Sequence, residues 1–178
     1  LQYRITDPVR GEVITPFQIL PEASLQLEAP VQLFATGQNR KIKVSVKNLG
    51  PSIEGKLKLE TPKSWELSPK SISISIEGKG NEQDFYFNVK APQQTTIGLL
   101  KPSLQTHTKS LSASLQEISY DHIPKQYLIS PAQAKAVALN LKTGVQKVAY
   151  IAGAGDNIPE SLTALGVQVE VLEAKNST

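Results

Sequence analysis

The sequence contains no cysteine and no methionine. Without cysteine, disulfides, thiolate nucleophiles and cysteine-ligated zinc are all excluded, while the redox compartment stays open because a chain of this size can be held by its core alone. A translation product begins with methionine, so Leu1 is read as an internal or processed position, with any targeting signal already removed. Long apolar runs are also missing. None approaches the roughly 20 residues that cross a bilayer as a helix, so no membrane span is expected. Arginine is scarce, at Arg4, Arg10 and Arg40 against 16 lysines, and aromatics make up 6% of the chain. The net charge of +3 therefore comes from lysines spread along 178 residues. A nucleic-acid surface would need clustered charge, more arginine and interleaved aromatics, so no nucleic-acid partner is expected.

What is present is turn chemistry and alternation. Twelve prolines and 11 glycines punctuate the chain. Residues 1–30 are cut by Pro16, Pro21 and Pro30 into short extended pieces that read as lead-in strands wrapping onto the next segment of chain. From Val31 the period of two is strong. Val31 and Leu33 flank Gln32, and Ile42, Val44 and Val46 alternate with lysine and serine. Ile53, Leu57 and Leu59 oppose Lys56, Lys58 and Glu60; Ile72, Ile74 and Ile76 come next, then Phe85, Phe87 and Val89. Gly55 marks a bulge or a close backbone approach. Short strands with turns every 8 to 12 residues predict an immunoglobulin-like β-sandwich over 31–122. The segment 95–120 has less regular spacing. Residues 123–146, bounded by Pro124 and Pro131, read as a linker with one strand anchored on Val137, Leu139 and Leu141.

The last part changes character. Val148-Ala149-Tyr150-Ile151 is a continuous apolar run of the parallel-strand kind. A tight loop comes after it at Ala152-Gly153-Ala154-Gly155-Asp156-Asn157. Pro159 fits a first helical turn, and Ile158, Leu162 and Leu165 share a helical face. Gly166 suits a C-terminal cap, and Val167, Val169 and Val171 form another strand. Residues 147–178 thus predict the β-α-β start of a truncated α/β domain, so that the whole fold class is mainly β with this α/β segment at the end.

No catalytic constellation assembles from these residues. Gly153 and Gly155 stand where a phosphate-cradling loop would, and Glu173 lies 20 residues after Gly153, as a ribose-binding carboxylate would. Ile158 replaces the third glycine, however, and Asp156 brings negative charge, so a structural turn is the better reading and no cofactor is expected. His107 and His122 have no ligand-spaced partners, and His122 reads as a structural residue of the junction beside Pro124. No metal site is expected. Trp65 and Tyr86 are the candidate ligand or partner surface, since both rings could stack on a sugar or a protein. The competing reading puts Trp65 at the end of the sandwich core.

Three stretches resemble a known family. Tyr3-Arg4-Ile5-Thr6-Asp7-Pro8-Val9-Arg10-Gly11-Glu12, the junction Ile118-Ser119-Tyr120-Asp121-His122-Ile123-Pro124, and the run from Val148 to Leu162 are similar to the downstream region of large Bacteroidetes deacetylases of the PIG-L or LmbE-like family. The middle, with Pro62-x-x-Trp65, is also similar to sandwich domains associated with carbohydrate-active enzymes. The resemblance implies an upstream zinc-dependent amide hydrolase domain acting on N-acetylglucosaminyl groups, and a downstream glutamine-amidotransferase-like α/β domain. Neither signature falls in this chain, so no catalytic residue carries over. The implied role is a non-catalytic accessory region, secreted or periplasmic, whose partners are those two domains and a possible glycan. A carbohydrate-binding module and a protein–protein interaction domain are the alternatives.

Overall fold

The computed structural model describes residues 2–7, 11–16, 19–120, 123–140, 147–151, 158–164 and 166–172. Paired apolar alternation and turn residues fold the chain into strands that close two sheets over one core. β1 (Gln2–Asp7) and β2 (Gly11–Pro16) form an antiparallel hairpin whose Gly11 has φ of 75°, a conformation glycine reaches without steric cost. β3 (Ala23–Leu27), β4 (Val31–Ala35), β5 (Asn39–Asn48) and β6 (Ser52–Glu60) come after it. Next are β7 (Glu66–Ser68), β8 (Ile72–Glu77), β9 (Glu82–Lys90) and β10 (Thr96–Gln105). After the short β11 (Ser110–Leu111), β12 (Ala113–Tyr120) and β13 (Ile123–Pro131) make a second hairpin, and β14 (Ala134–Leu139) returns to the main body.

One sheet has the order β3-β5-β9-β7 and the other β4-β14-β10-β6-β8. This is an immunoglobulin-like sandwich: β3, β5, β7 and β9 make one sheet, and β4, β6, β8, β10 and β14 build the other. The first edge strand is divided between sheets, and its second half, β4, runs parallel to the last strand, β14. Phe34, Ile42, Val44, Val46, Leu57, Ile76, Phe87, Val89, Leu100 and Leu104 are buried between the sheets. Each such side chain contributes about 1.5 to 3 kcal/mol through loss of apolar surface to water. Ile42, Val44 and Val46 face inward with lysines outward, as their alternation predicts.

The sandwich takes in strands from outside the 31–122 interval. β3, from the lead-in segment, pairs with β5 throughout its length. β14, from the expected linker, lies between β4 and β10 as an interior strand. Tyr127, Leu128 and Ile129, in the expected linker between Pro124 and Pro131, are part of β13. Two inward faces are also reversed from the sequence expectation. On β4 it is Gln32 and Phe34 that are buried, while Val31 is exposed. On β14 the buried positions are Ala134, Ala136 and Ala138, with Val137 half-buried. The larger aliphatics point outward because the core at this end is filled by the Phe34 and Trp65 rings, opposite which alanine fits.

Two glycines show why no larger residue stands there. A Cβ on Gly55 would lie 2.4 Å from the carbonyl oxygen of Gln105, and one on Gly98 would lie 2.3 Å from Cγ of Pro62. The close approach expected at Gly55 is therefore present. The irregular region after Thr95 resolves into a single strand, β10, that pairs with β14 through Leu100 and with β6 from Lys101 onward.

At the C-terminal end, β15 (Lys147–Ile151) and β16 (Gln168–Leu172) pair in parallel around α1 (Ile158–Ala164), the predicted β-α-β unit. Gly166, at φ of 86°, donates its N–H to Thr163 O at 3.0 Å, ending the helix as a glycine cap does. α1 comes close to the sandwich at β4. No helix among the described residues is long and apolar enough to cross a membrane.

Candidate functional site

Trp65 enters the core through the turn Pro62-Lys63-Ser64-Trp65, whose first carbonyl accepts the Trp65 N–H at 3.0 Å. Its side chain is 6% exposed. The indole meets Phe34 edge to face, with centroids 4.8 Å apart and planes at 87°, and its Nε1 donates to Thr96 Oγ1 at 3.1 Å. On Phe34 the Arg40 guanidinium carbon stands 5.3 Å from the ring centroid, and the same guanidinium donates to the Leu33 carbonyl. An indole so enclosed has no face free for a sugar. Trp65 is a core residue, which corrects its placement on a ligand surface.

Tyr86 does lie outward, 53% exposed, between the inward Phe85 and Phe87 and opposite Lys43 in the β5–β9 register. The fold thus separates Tyr86 from Trp65, one in solvent and one in the core. His122, Gly153, Gly155 and Asp156 lie outside the described residues. His107 is exposed in the turn between β10 and β11. Among the described residues no three histidine, aspartate or glutamate side chains converge as a metal-binding group.

Around Tyr86, the outer face of this sheet is a lattice of opposed charges. Lys47 stands opposite Glu82 and Ser45 opposite Asp84. Asp84 accepts from Ser45 Oγ at 2.5 Å and pairs with Lys43 at 3.4 Å. The serine hydrogen bond above all, with help from the Lys43 charge, holds the Asp84 carboxyl below the usual range, although desolvation works the other way. Lys90 pairs with Glu66 across β9 and β7 at 2.9 Å.

A sizeable concavity is formed where the β12–β13 hairpin folds back beside this face. Leu115 N–H donates to Ser24 Oγ at 2.9 Å, which fixes β12 against β3 and leaves the outward Ser24 only 5% exposed. The resulting cleft holds about 530 Å³ and is lined by Leu115, Glu117 and Tyr127 of the hairpin, Gln26 and Lys47 of the sheet, and Leu20 and Pro21 at the rim. Its volume is within the range of small-molecule sites. Glu117 pairs with Lys125 at 2.7 Å. That hydrogen bond, and then the charges of Lys125 and Lys47, lower the Glu117 carboxyl from its ordinary value although burial works the other way. The same pair raises the Lys125 ammonium.

Chemically, the cleft offers an aromatic ring, aliphatic walls and polar groups of both signs. This suits a neutral polyhydroxylated ligand or a peptide more than an acid–base reaction, because Glu117 is moved away from neutrality and so stays ionised at pH 7. From the sequence Tyr127 reads as an aromatic of the linker between Pro124 and Pro131 that holds the linker to its neighbours. Its place in a cleft depends on a hydrogen bond spanning 91 positions, from Leu115 to Ser24, for which no local signal exists.

No protein family and no curated protein matches the chain. Among solved structures it is similar to part of Escherichia coli alpha-2-macroglobulin in the native conformation, with TM-score 0.46 and 15% identity over 72% of this chain and 7% of that one. The trypsin-activated form of that protein gives TM-score 0.46 and 10% identity over 90% of this chain and 14% of that one. A family 123 glycoside hydrolase from Clostridium perfringens gives TM-score 0.35 and 11% identity over 72% of this chain and 30% of that one. The chain spans less than a third of the length of each of these proteins.

Proposed function

We propose that this chain is a non-catalytic accessory region of a larger PIG-L/LmbE-like, N-acetylglucosaminyl deacetylase-type protein, in which the sandwich positions or stabilises the neighbouring enzyme domain. The observation that carries an accessory role is the state of the β15-α1-β16 unit. Its two parallel strands leave Ile151, Val171 and Leu172 63%, 52% and 43% exposed. Parallel strands are stable when covered on both faces, and a two-stranded sheet with one short helix does not supply that cover. The unit therefore reads as part of a larger α/β layer. The enzyme class rests on the motif resemblance, as does a secreted or periplasmic location.

The test compares the full-length protein with a version lacking residues 20–140, alongside the 178-residue chain alone, each given zinc and an N-acetylglucosaminyl substrate. The expected result is turnover by the full-length protein, a lower Tm or kcat/KM when the sandwich is removed, and none by the isolated chain. Turnover by the isolated chain, or an enzyme indifferent to loss of the sandwich, would overturn the proposal.

A glycan-binding reading is favoured by one observation, the cleft beside Tyr127. A glycan-array signal lost in Tyr127→Ala, with the Trp65 fluorescence of the folded protein retained, supports it. No signal for the unmodified chain on any glycan removes it.

A further inference from the structure

The outer face of β4, β14 and β10 is apolar in a way that a solvated sheet face does not require. Register aligns Leu33, Val137 and Ile97 in one row across the three strands, and Val31, Lys135 and Leu99 in the next. The inner face of the same strands holds Phe34, Ala136 and Leu100 in the core. These strands are therefore apolar on both sides, whereas the neighbouring β6 turns Lys56, Lys58 and Glu60 away from its buried positions. Ile97 is 64% exposed, Val31 47% and Leu99 42%, while Leu33 and Val137 are half-buried.

We propose that this face is the docking surface for a helix of the α/β layer to which β15-α1-β16 belongs, packed beside α1; this rests on the accessory reading above. α1 comes close to the sandwich at β4, the strand that carries Val31 and Leu33. One short helix does not complete it. Two strand spacings separate β4 from β10, roughly 10 Å between their axes. A helix with its side chains is about 10 Å wide, so a helix close to β4 does not by itself span the face as far as β10. Lys135 lies in the middle of the patch and makes no ion pair among the described residues. The helix that fits has an aliphatic stripe at i, i+3 and i+4 and a carboxylate placed to meet Lys135.

These 178 residues hold no cysteine, so a thiol introduced here is unique within them, and its labelling is read on its own peptide by mass spectrometry. Ile97→Cys is placed in the full-length protein and in the 178-residue chain, and maleimide labelling rates are compared, with Tyr86→Cys on the opposite sheet as the control. The expected result is at least tenfold slower labelling at position 97 in the full-length protein, with equal rates at position 86. Adding Lys135→Glu to the full-length Ile97→Cys protein should speed labelling at least threefold. Equal rates at position 97 in both proteins would overturn the proposal, as would protection in the short chain that grows with its concentration, which marks a second copy as the occupant. Deacetylase turnover of the same samples reads the enzyme assignment separately: protection at position 97 without turnover keeps the docking face and discards the enzyme.

Discussion

Trp65 and Phe34 meet edge to face across the interior of the sandwich, 4.8 Å between centroids, joining the turn before β7 to the edge strand β4. Aromatic pairs in this geometry add about 0.5 to 1.5 kcal/mol beyond their buried area. Trp65→Ala is expected to cost about 3 to 5 kcal/mol of folding stability through the cavity it leaves. Trp65→Phe should lose less, with the hydrogen bond to Thr96 accounting for about 1 kcal/mol. Urea titration checks both, and a Trp65→Ala protein as stable as the parent would contradict the core placement.

Asn48 is fully buried at the end of β5 and ties two loops together. Its Nδ2 donates to Ile76 O at 3.2 Å and Gly78 O at 3.1 Å, and its Oδ1 accepts from Gly50 N–H at 3.0 Å. Asn48→Asp keeps the shape but turns a carboxylate oxygen towards two carbonyls, so it is expected to cost about 3 kcal/mol or more. Asn48→Ala strands the same carbonyls without the added repulsion and should cost about 2 kcal/mol. Denaturant midpoints rank the two, and the reverse order would show that the carbonyls find other donors.

Gly55→Ala and Gly98→Ala are expected to destabilise for different reasons. At Gly55 the new methyl meets a backbone oxygen of β10, which moves only if the strand pair separates. At Gly98 it meets the Pro62 ring of the turn that delivers Trp65. Overpacking of this kind costs about 1 to 3 kcal/mol. Gly98→Ala should also change the Trp65 emission, whereas Gly55→Ala should leave that emission unchanged in the folded state.

The Glu117–Lys125 pair predicts how the β12–β13 hairpin responds to pH. Glu117 is lowered from 4.5, so its contribution is complete above that value and is lost as pH falls through the lowered one. Lys125 is raised from 10.5, so its contribution is complete below that value and is lost as pH rises through the raised one. Both groups are solvent-exposed and the effect is local and small. Methyl NMR signals of Leu115 and Ile118 should shift at both extremes while those of Val44 and Leu104 do not. Lys125→Met should move the acid transition towards the ordinary carboxylate value, and an unchanged transition would discount the pair.

Much of the fold was legible where polar residues oppose apolar ones. Ile42, Val44 and Val46 alternate with Lys41, Lys43 and Lys47, so only one face can be dry, and the structure buries that face. On β4 and β14 the alternation fails as a guide, because Val31-Gln32-Leu33-Phe34 and Ala136-Val137-Ala138-Leu139 offer apolar groups to both sides. Hydropathy alone favours the larger aliphatics. The packed interior instead takes the ring of Phe34 and the small alanines. The candidate site was less legible still, because the cleft joins residues from β3, β5 and the β12–β13 hairpin.

The sequence by itself determined that the protein is a β-sandwich with a β-α-β unit, that these residues hold no disulfide, and where the turns between Val31 and Pro92 lie. These properties arise from side-chain chemistry within a few positions of each residue. Only the tertiary structure decided that Trp65 is core and not surface, that β14 lies inside a sheet, and that Tyr127 borders a cleft. Each of those outcomes turns on which distant strand claims a hydrogen-bonding edge and which side chains fill a shared volume, and neither quantity is carried by a local stretch of sequence.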